Sequence, residues 1–375
     1  MSAAAAAGRP LRVLFLTGFP AIGGPLPKLA PVVAEGLRRG GCEVSIAGWS
    51  AHSARPEPFA VKVRDRSGDL WRVRERVRTW RPDVVFVATT HNRSALMRDI
   101  PLALALPAHL PLVLHFHGSE CGLLGAPGKR LLTQSSLWLA ERAAAVLLLS
   151  REEYGAWTHA CPRARFELVD NPYVGERHDD AAPRPERGAD DPMTVLFVGR
   201  LVPDKGIFEL LDAVDVVRRR LPVRLVVAGA GPAEGDLRRR IALLGLETTV
   251  TLRGYVSGDD LDAVYRQADV FALPSYREGF PLVVMEAMDY GLPVVTTPIR
   301  GCADHLEPFV NAVFAPPRDA EALANALLAV LEDGALRRTM GEANRLKVME
   351  FAPERVLPRY VDILRDVVRA GGGEP

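Results

Sequence analysis

The chain has 375 residues, enough for about two and a half domains at the usual ~150 residues each. Its 48% apolar and 25% charged residues exclude a disordered chain. With 47 basic and 46 acidic residues the net charge is +1, so nothing global draws it to nucleic acid, and 7% aromatic residues is too few for single-strand stacking platforms.

The first predicted strand, 11–17, follows an alanine-rich start without a cleavage site, so it reads as a buried strand and not as a signal peptide. Further strands are predicted at 42–48, 83–88, 112–116 and 145–149, with amphipathic segments between them. The apolar run from Ile100 is interrupted by three prolines and His109, short of the ~20 unbroken apolar residues that a membrane span needs. A proline-rich, charged stretch without periodicity, 175–192, reads as a linker. Strands then resume at 194–199, 223–229, 249–254, 269–273 and 293–297, followed by a long helical stretch from Ala320 to about Met349 and a last amphipathic helix at 353–368. Apolar strands alternating with helices imply parallel sheets covered on both faces. The expected fold class is α/β: two facing Rossmann-like, doubly wound domains, 1–174 and 193–350, with ligands in the cleft between them.

The segment EGFPLVVMEAMDYGLPVVTT (278–297) carries the strongest chemical signal. Glu278 ends a loop, Gly279 and Phe280 follow, and Pro281 suits the first position of a helix that holds Glu286 and stops at Gly291. Carboxylates beside a helix N-terminus accept paired hydroxyl hydrogen bonds, which suits sugar and ribose diols. The plain alternative is a solvated helix with two surface glutamates. In VGRLVPDKGI (198–207), Arg200 and Lys205 follow a buried strand, two cations suited to a phosphate group; an internal salt bridge is the alternative. Gly229 and Gly231 also follow a strand, but Glu234 occupies the third glycine position of a dinucleotide fingerprint, and Gly128-Lys129 does not complete a P-loop. Glycines at these positions still allow a backbone to approach a ligand.

Gly23 and Gly24 sit between the first strand and the next helix, with the same phosphate-approach logic or a plain turn as readings. His115 and His117 share one side of their strand by alternation, with His117 at its mouth, where it could hold a hydroxyl or assist proton movement; His115 reads as a core histidine. His91 ends its strand similarly, with less support. Cys42, Cys121, Cys161 and Cys302 are scattered, which fits reduced cytoplasmic thiols, and no side-chain cluster has metal-ligand spacing. The helix LWRVRERVRTW (70–80) carries Leu70, Val73, Val77 and Trp80 on one face and arginines elsewhere. It could touch the anionic inner face of a membrane, or be an ordinary core helix with a solvated side.

In order and spacing, GRLVPDKGI, VAGAGP, LRGYVSGDDL and ALPSYREGFPLVVMEAMDYGLPVVTT resemble the nucleotide-sugar-dependent retaining glycosyltransferases of family four, the group 1 enzymes of GT-B fold. The likeness is dense from Thr194 to about Leu331 and looser before that, resting on Gly23-Gly24, His117-Gly118 and VDNPYV around Asn171. The resemblance implies that Glu278 binds the donor sugar with the backbone at Gly279 and Phe280, and Glu286 the donor ribose. Arg200 and Lys205 would hold the diphosphate, His117 would sit by the transferred sugar, and Gly23, Gly24, Gly229, Gly231, Tyr255 and Pro281 would complete the donor site. It also implies that the segment 351–375 crosses back onto the first domain. Catalysis would need no metal and no cofactor; the partners are a nucleoside-diphosphate sugar as co-substrate and a hydroxyl-bearing acceptor. The departures are Asn171-Pro172 for the usual asparagine-glycine, and Arg300-Gly301 for the usual glycine pair.

The activity implied is glycosyl transfer with retention in glycan, glycolipid or glycosylated-metabolite synthesis. A glycoside hydrolase or phosphorylase would also use two carboxylates, about 5–9.5 Å apart in the hydrolases, but has no need of two cations aimed at a diphosphate. A catalytically decayed sugar-nucleotide-binding protein is a third reading, against which the intact Glu278, Glu286, Arg200 and Lys205 stand. The failed fingerprints disfavour a nicotinamide dehydrogenase.

Overall fold

A computed structural model describes residues 9–18, 25–49, 59–125, 130–175 and 191–372. The chain divides into two compact units, Met1–Val174 with Phe351–Pro375, and Gly175–Glu350.

In the first unit the elements are β1 (Leu11–Thr17), α1 (Pro25–Arg39), β2 (Cys42–Gly48), α2 (Phe59–Trp80), β3 (Val84–His91), α3 (Arg93–Ala105), β4 (Leu112–Ser119), α4 (Arg130–Arg142), β5 (Ala145–Leu148), α5 (Arg151–Ala160) and β6 (Phe166–Leu168). The strands form one parallel sheet in the order β2-β1-β3-β4-β5-β6. The inner strands are buried and largely apolar because both faces are covered, whereas the edge strand β2 is partly exposed. Val13, Phe15, Phe86 and Val113 point to one face; Leu14, Leu16, Val85 and Leu114 point to the other. Helices α3 and α5 start where a polar side chain can take a free N–H: Asn92 Oδ1 accepts from Ala95 N (2.9 Å), and Ser150 Oγ from Glu153 N (3.2 Å).

The second unit holds β7 (Met193–Val198), α6 (Ile207–Val217), β8 (Val223–Ala228), α7 (Glu234–Leu244), β9 (Val250–Gly254), α8 (Asp259–Arg266), β10 (Val270–Leu273), α9 (Leu282–Asp289), β11 (Val294–Thr296), α10 (Arg300–His305), β12 (Ala312–Phe314), α11 (Ala320–Glu332) and α12 (Gly334–Val348). Its parallel sheet runs β12-β11-β10-β7-β8-β9. Counted within the unit this is 6-5-4-1-2-3, the doubly wound order whose topological switch falls between the first and fourth strands, here β7 and β10.

The last helix, α13 (Pro353–Ala370), belongs to the first unit. Its Val356, Leu357, Tyr360, Val361, Ile363 and Leu364 are buried in the same cluster as Val33, Ala34 and Leu37 of α1.

Two sheet strands, β6 and β12, have no counterpart among the predicted strands; each is three residues long, too short for a periodic signal. The long helical stretch expected from Ala320 to about Met349 is two helices, divided at Asp333, whose carboxylate accepts from the N–H groups of Ala335 and Leu336 (both 2.9 Å) and starts the second. The apolar stripe of α2 is turned inward. Val73 is fully buried, and Leu70, Val77 and Trp80 pack on the core, so these four residues are not available to a membrane. Most of the expected linker, residues 176–190, lies outside the described residues.

Candidate active site

In the second unit the loops that leave β7 and β10 converge at the switch point. The β7 loop ends in a 3₁₀ turn, Pro203–Lys205, and Gly206 (φ +69°) then redirects the chain into α6. Lys205 therefore stands just ahead of the helix. Its ammonium donates to Glu278 Oε1, and Ser275 Oγ donates to the same oxygen (3.1 Å). The two charged side chains are 23% and 17% exposed, so the pair is largely withdrawn from water, and removing either partner would strand a poorly solvated charge. Ser275 is itself tied down, its carbonyl accepting from the Thr297 hydroxyl at the end of β11 (2.5 Å). Beneath the pair lies Cys302, 1% exposed. Burial pushes its thiol up to about 12; the Thr296 hydroxyl and Lys205 oppose this and Glu278 adds to it. The thiol stays protonated at neutral pH and is no nucleophile.

Arg200 lies two residues beyond β7, exposed, its side chain without a hydrogen bond or ion pair to a described residue. Gly229 and Gly231 follow β8, but what approaches them closely is the protein's own backbone. A Cβ on Gly229 (φ +156°) would lie 1.8 Å from the Gly199 carbonyl oxygen, and one on Gly231 2.3 Å from that of Leu201. Both glycines thus let the β8 loop lie against the loop that carries Arg200. Tyr255, just past β9, is 76% exposed.

Pro281 is the residue before α9, not its first helical residue: its ψ of 131° is extended, and Leu282 begins the helix. Gly279, Phe280 and Pro281 are buried. The Gly279 carbonyl accepts from Gly301 N–H (2.9 Å), while the Phe280 ring meets His305 at 4.9 Å, so α10 buttresses the loop from behind. Arg300, in a position where the resemblance expects glycine, has φ +42° and is 6% exposed. Helix α9 closes in a Schellman motif: Gly291 (φ +65°) donates to the Met288 carbonyl and Leu292 to that of Ala287, both at 2.9 Å.

Glu286 is held by Tyr265 of α8, whose hydroxyl donates to Oε2 (2.8 Å). Tyr265 is buried and stacks on Tyr290 (4.9 Å between centroids, 8° between planes), and Tyr290 donates to Asp262 (2.6 Å). A two-ring wall thus fixes the second carboxylate.

In the first unit His117 sits at the carboxyl end of β4, half-buried, its ring 3.9 Å from that of His115. Desolvation pulls the His117 imidazole down to about 3, while its side-chain hydrogen bond with Asn171 works the other way. Buried His115 is also held well below the ordinary range, first by burial and then by His117. His115 stacks on Phe86 and meets Tyr360 edge-on, as a core residue. His91 is also structural: Nδ1 lies 2.9 Å from Ser119 Oγ and Nε2 2.8 Å from Ser136 Oγ, with Trp157 edge-on at 4.7 Å. Burial takes it down to about 4. Gly23 and Gly24 lie outside the described residues.

The structure brings together Lys205 with Glu278, and the β7 and β8 loops through Gly229 and Gly231. Sequence reasoning passed over two side chains. Ser275 lies three residues before Glu278 and could have been found in the Pro274-Ser275 turn. Tyr265 is 21 residues before Glu286 and gives no local signal. Among the described residues no group of three or more His, Cys, Asp or Glu side chains could hold a metal ion, and no helix is long and apolar enough to cross a membrane.

Two parallel six-stranded sheets with flanking helices define a two-domain α/β protein of the GT-B kind. Residues 179–347 match the family model for glycosyl transferases group 1, and residues 32–174 that for glycosyltransferase family 4. The chain belongs to this glycosyltransferase family. It is 30% identical to the glycogen synthase of Mycobacterium tuberculosis over 282 residues, 72% of this chain and 65% of that protein. It is 33% identical to a D-inositol 3-phosphate glycosyltransferase of Salinispora arenicola over 199 residues, 50% of this chain and 43% of that one. The matched region thus spans 43–65% of the length of these relatives. Among solved structures, sucrose-phosphate synthase from Thermosynechococcus elongatus superposes with a TM-score of 0.79 at 20% identity, covering 96% of this chain and 100% of that one. Anabaena HepE, solved in complex with UDP, gives 0.70 at 20% identity, covering 95% and 100%.

Proposed function

We propose that this protein transfers a glycosyl group from a nucleoside-diphosphate sugar to an acceptor hydroxyl with retention of configuration, without a bound metal or cofactor. The observation that carries the reading is the Lys205–Glu278 pair at the switch point between β7 and β10, where doubly wound sheets bind ligands. Glu278 would accept hydrogen bonds from donor-sugar hydroxyls, helped by the backbone at Gly279 and Phe280. Lys205 and the exposed Arg200 would hold the diphosphate, and their charge would gain attraction as negative charge grows on the leaving group. Glu286, set by Tyr265, would take the ribose diol. Gly23, Gly24, Gly229, Gly231, Tyr255 and Pro281 would complete the donor site.

His117, neutral over the working pH range, suits a hydrogen bond to a sugar hydroxyl better than proton abstraction. Among the described residues no side chain is set up as an enzymic nucleophile, so attack on the leaving-group face is the route for retention. HepE has been solved with UDP, with UDP and glucose, and with UDP-glucose, which supports a nucleotide sugar as donor. A hydrolase would leave the basic residues beside Glu278 without a task. A cytoplasmic setting, where nucleotide sugars are made and thiols stay reduced, agrees with this chemistry.

The test is a thermal-shift screen of nucleotide sugars, since a ligand at 100 times its dissociation constant adds about 2.7 kcal/mol of stability. The stabilising donor is then incubated with hydroxyl acceptors, and the anomeric configuration of the product is read by proton NMR. Stabilisation by a nucleotide sugar and an unchanged anomeric configuration are expected. No response to any nucleotide sugar, or an inverted product, would overturn the reading.

A further inference from the structure

Helices α2, α3 and α4 form one layer on a single face of the first unit's sheet, α3 packing against both neighbours. Their outer surface is unusual in two respects. The first is apolar exposure: Trp71 is 67% exposed, Met97 61%, Leu104 67%, Leu131 77% and Trp138 38%. Single exposed apolar side chains need no explanation, but five on one three-helix layer, including two of the chain's five tryptophans, do. The second is charge. The segments 64–81, 93–105 and 130–142 together carry ten arginines besides Arg98, which is turned in against buried Asp99, and only Asp65, Glu75 and Glu141 as carboxylates once buried Asp69 and Asp99 are set aside, in a chain whose net charge is only +1.

The two features share ground. A cavity of about 730 Å³ between the ends of α2 and α3 is lined by Trp71, Arg74, Arg78, Arg81, Pro107 and His109. A second hollow of about 280 Å³, between α3 and α4, is lined by Ile100, Leu104, Gln134, Ser135 and Trp138. Arg142, at the end of α4, donates to the Pro107 carbonyl (3.1 Å) and ties α4 to the rim of the first cavity.

We propose that this α2–α3–α4 face docks on an anionic lipid surface. A packed protein interface needs a continuous apolar centre from which charges are excluded. Here arginines flank the apolar side chains: Arg74 and Arg78 line the same cavity as Trp71, Arg93 stands one helical turn before Met97, and Arg130 precedes Leu131, an arrangement that suits a bilayer boundary. Tryptophan rings settle at headgroup level, leucine and methionine reach the acyl edge, and arginines bury their stems while their heads stay among the phosphates. The apolar stripe of α2 that packs into the core plays no part; the docking residues are on its outer side.

The test uses the full chain and no nucleotide sugar, so it is independent of the activity proposed above. The protein is sedimented with vesicles of phosphatidylcholine alone, and of equal parts phosphatidylcholine and phosphatidylglycerol, at low and high salt. Pelleting with the phosphatidylglycerol vesicles at low salt, release at high salt, and a blue shift of tryptophan fluorescence on binding are expected. Arg74→Gln with Arg78→Gln should weaken binding about 25-fold, roughly fivefold for each charge. Trp71→Ser with Leu104→Ser should weaken binding and shrink the blue shift to what Trp138 alone supplies, while leaving the thermal midpoint near that of the parent. Three outcomes would overturn the proposal: no binding to phosphatidylglycerol vesicles at low salt, equal binding to neutral vesicles, or unchanged binding by both double variants.

Discussion

Lys205 and Glu278, 73 residues apart in sequence, form an ion pair in which Ser275 shares the same carboxylate oxygen. The ammonium would serve the diphosphate and the carboxylate the sugar, so each presets the other before a donor arrives. Replacing Glu278 with Gln should cut transfer heavily and leave nucleoside-diphosphate affinity close to the parent value. Isothermal calorimetry with the diphosphate decides: an equal loss of its binding would mean that Glu278 serves the nucleotide.

Lys205→Ala should lower kcat by roughly 10²–10³, the size seen when one preorganised donor is removed. Because the change also strands Glu278, the double variant Lys205→Ala, Glu278→Gln should be less impaired than the sum of the single effects. Steady-state kinetics on all three variants would show this. Wild-type turnover in Lys205→Ala would make the pair purely structural.

Tyr265 reaches Glu286, the carboxylate proposed for the ribose, through one hydrogen bond, so Tyr265→Phe removes that bond and keeps the stacked ring. The expected effect is weaker binding of the donor, seen as a raised KM for the nucleotide sugar with kcat nearly unchanged. A change in kcat alone would place Glu286 at the reacting sugar instead.

Gly229→Ala should destabilise the second unit by about 2 kcal/mol or more, because its Cβ would meet the Gly199 carbonyl oxygen at 1.8 Å and φ is +156°. Gly122→Ala, where nothing lies within 4 Å, is the control and should melt like the parent. Calorimetry of both variants provides the comparison.

His91 is buried and its pKa lies at about 4, well under the usual 6.5. The unfolded chain therefore binds a proton below pH 6.5 that the folded chain refuses until about pH 4, so stability must fall as pH drops through that window. Each tenfold change in proton affinity between the two states is worth about 1.4 kcal/mol, so this one residue accounts for roughly 3 kcal/mol. Denaturant melts at pH 8 and pH 4.5 should show the loss. In His91→Gln the protein should be weaker at pH 8 but lose less between the two; an unchanged pH slope would assign the titration to His115 and His117.

Much of this protein is legible from local pattern. Most strands in each half announce themselves as apolar runs, since a strand covered on both faces has no polar side to display; the edge strands β2 and β9 mix in polar residues. The motif residues are equally plain: Arg200, Lys205 and Glu278 fall between the end of a strand and the start of a helix, and Glu286 sits inside the helix that follows. What the sequence could not state is which of these residues meet. That depends on the strand order, in which β10 lies beside β7, and parallel pairing between distant segments leaves no local trace. The same holds for Tyr265 behind Glu286, and for α13 buried against α1 from the far end of the chain. Pro281 stands just before its helix instead of opening it, a one-residue difference set by backbone angles and not by composition. Residue type chose the chemistry; the long-range packing of loops at the switch point decided which charges face each other, because only tertiary structure removes the water that would otherwise keep them apart.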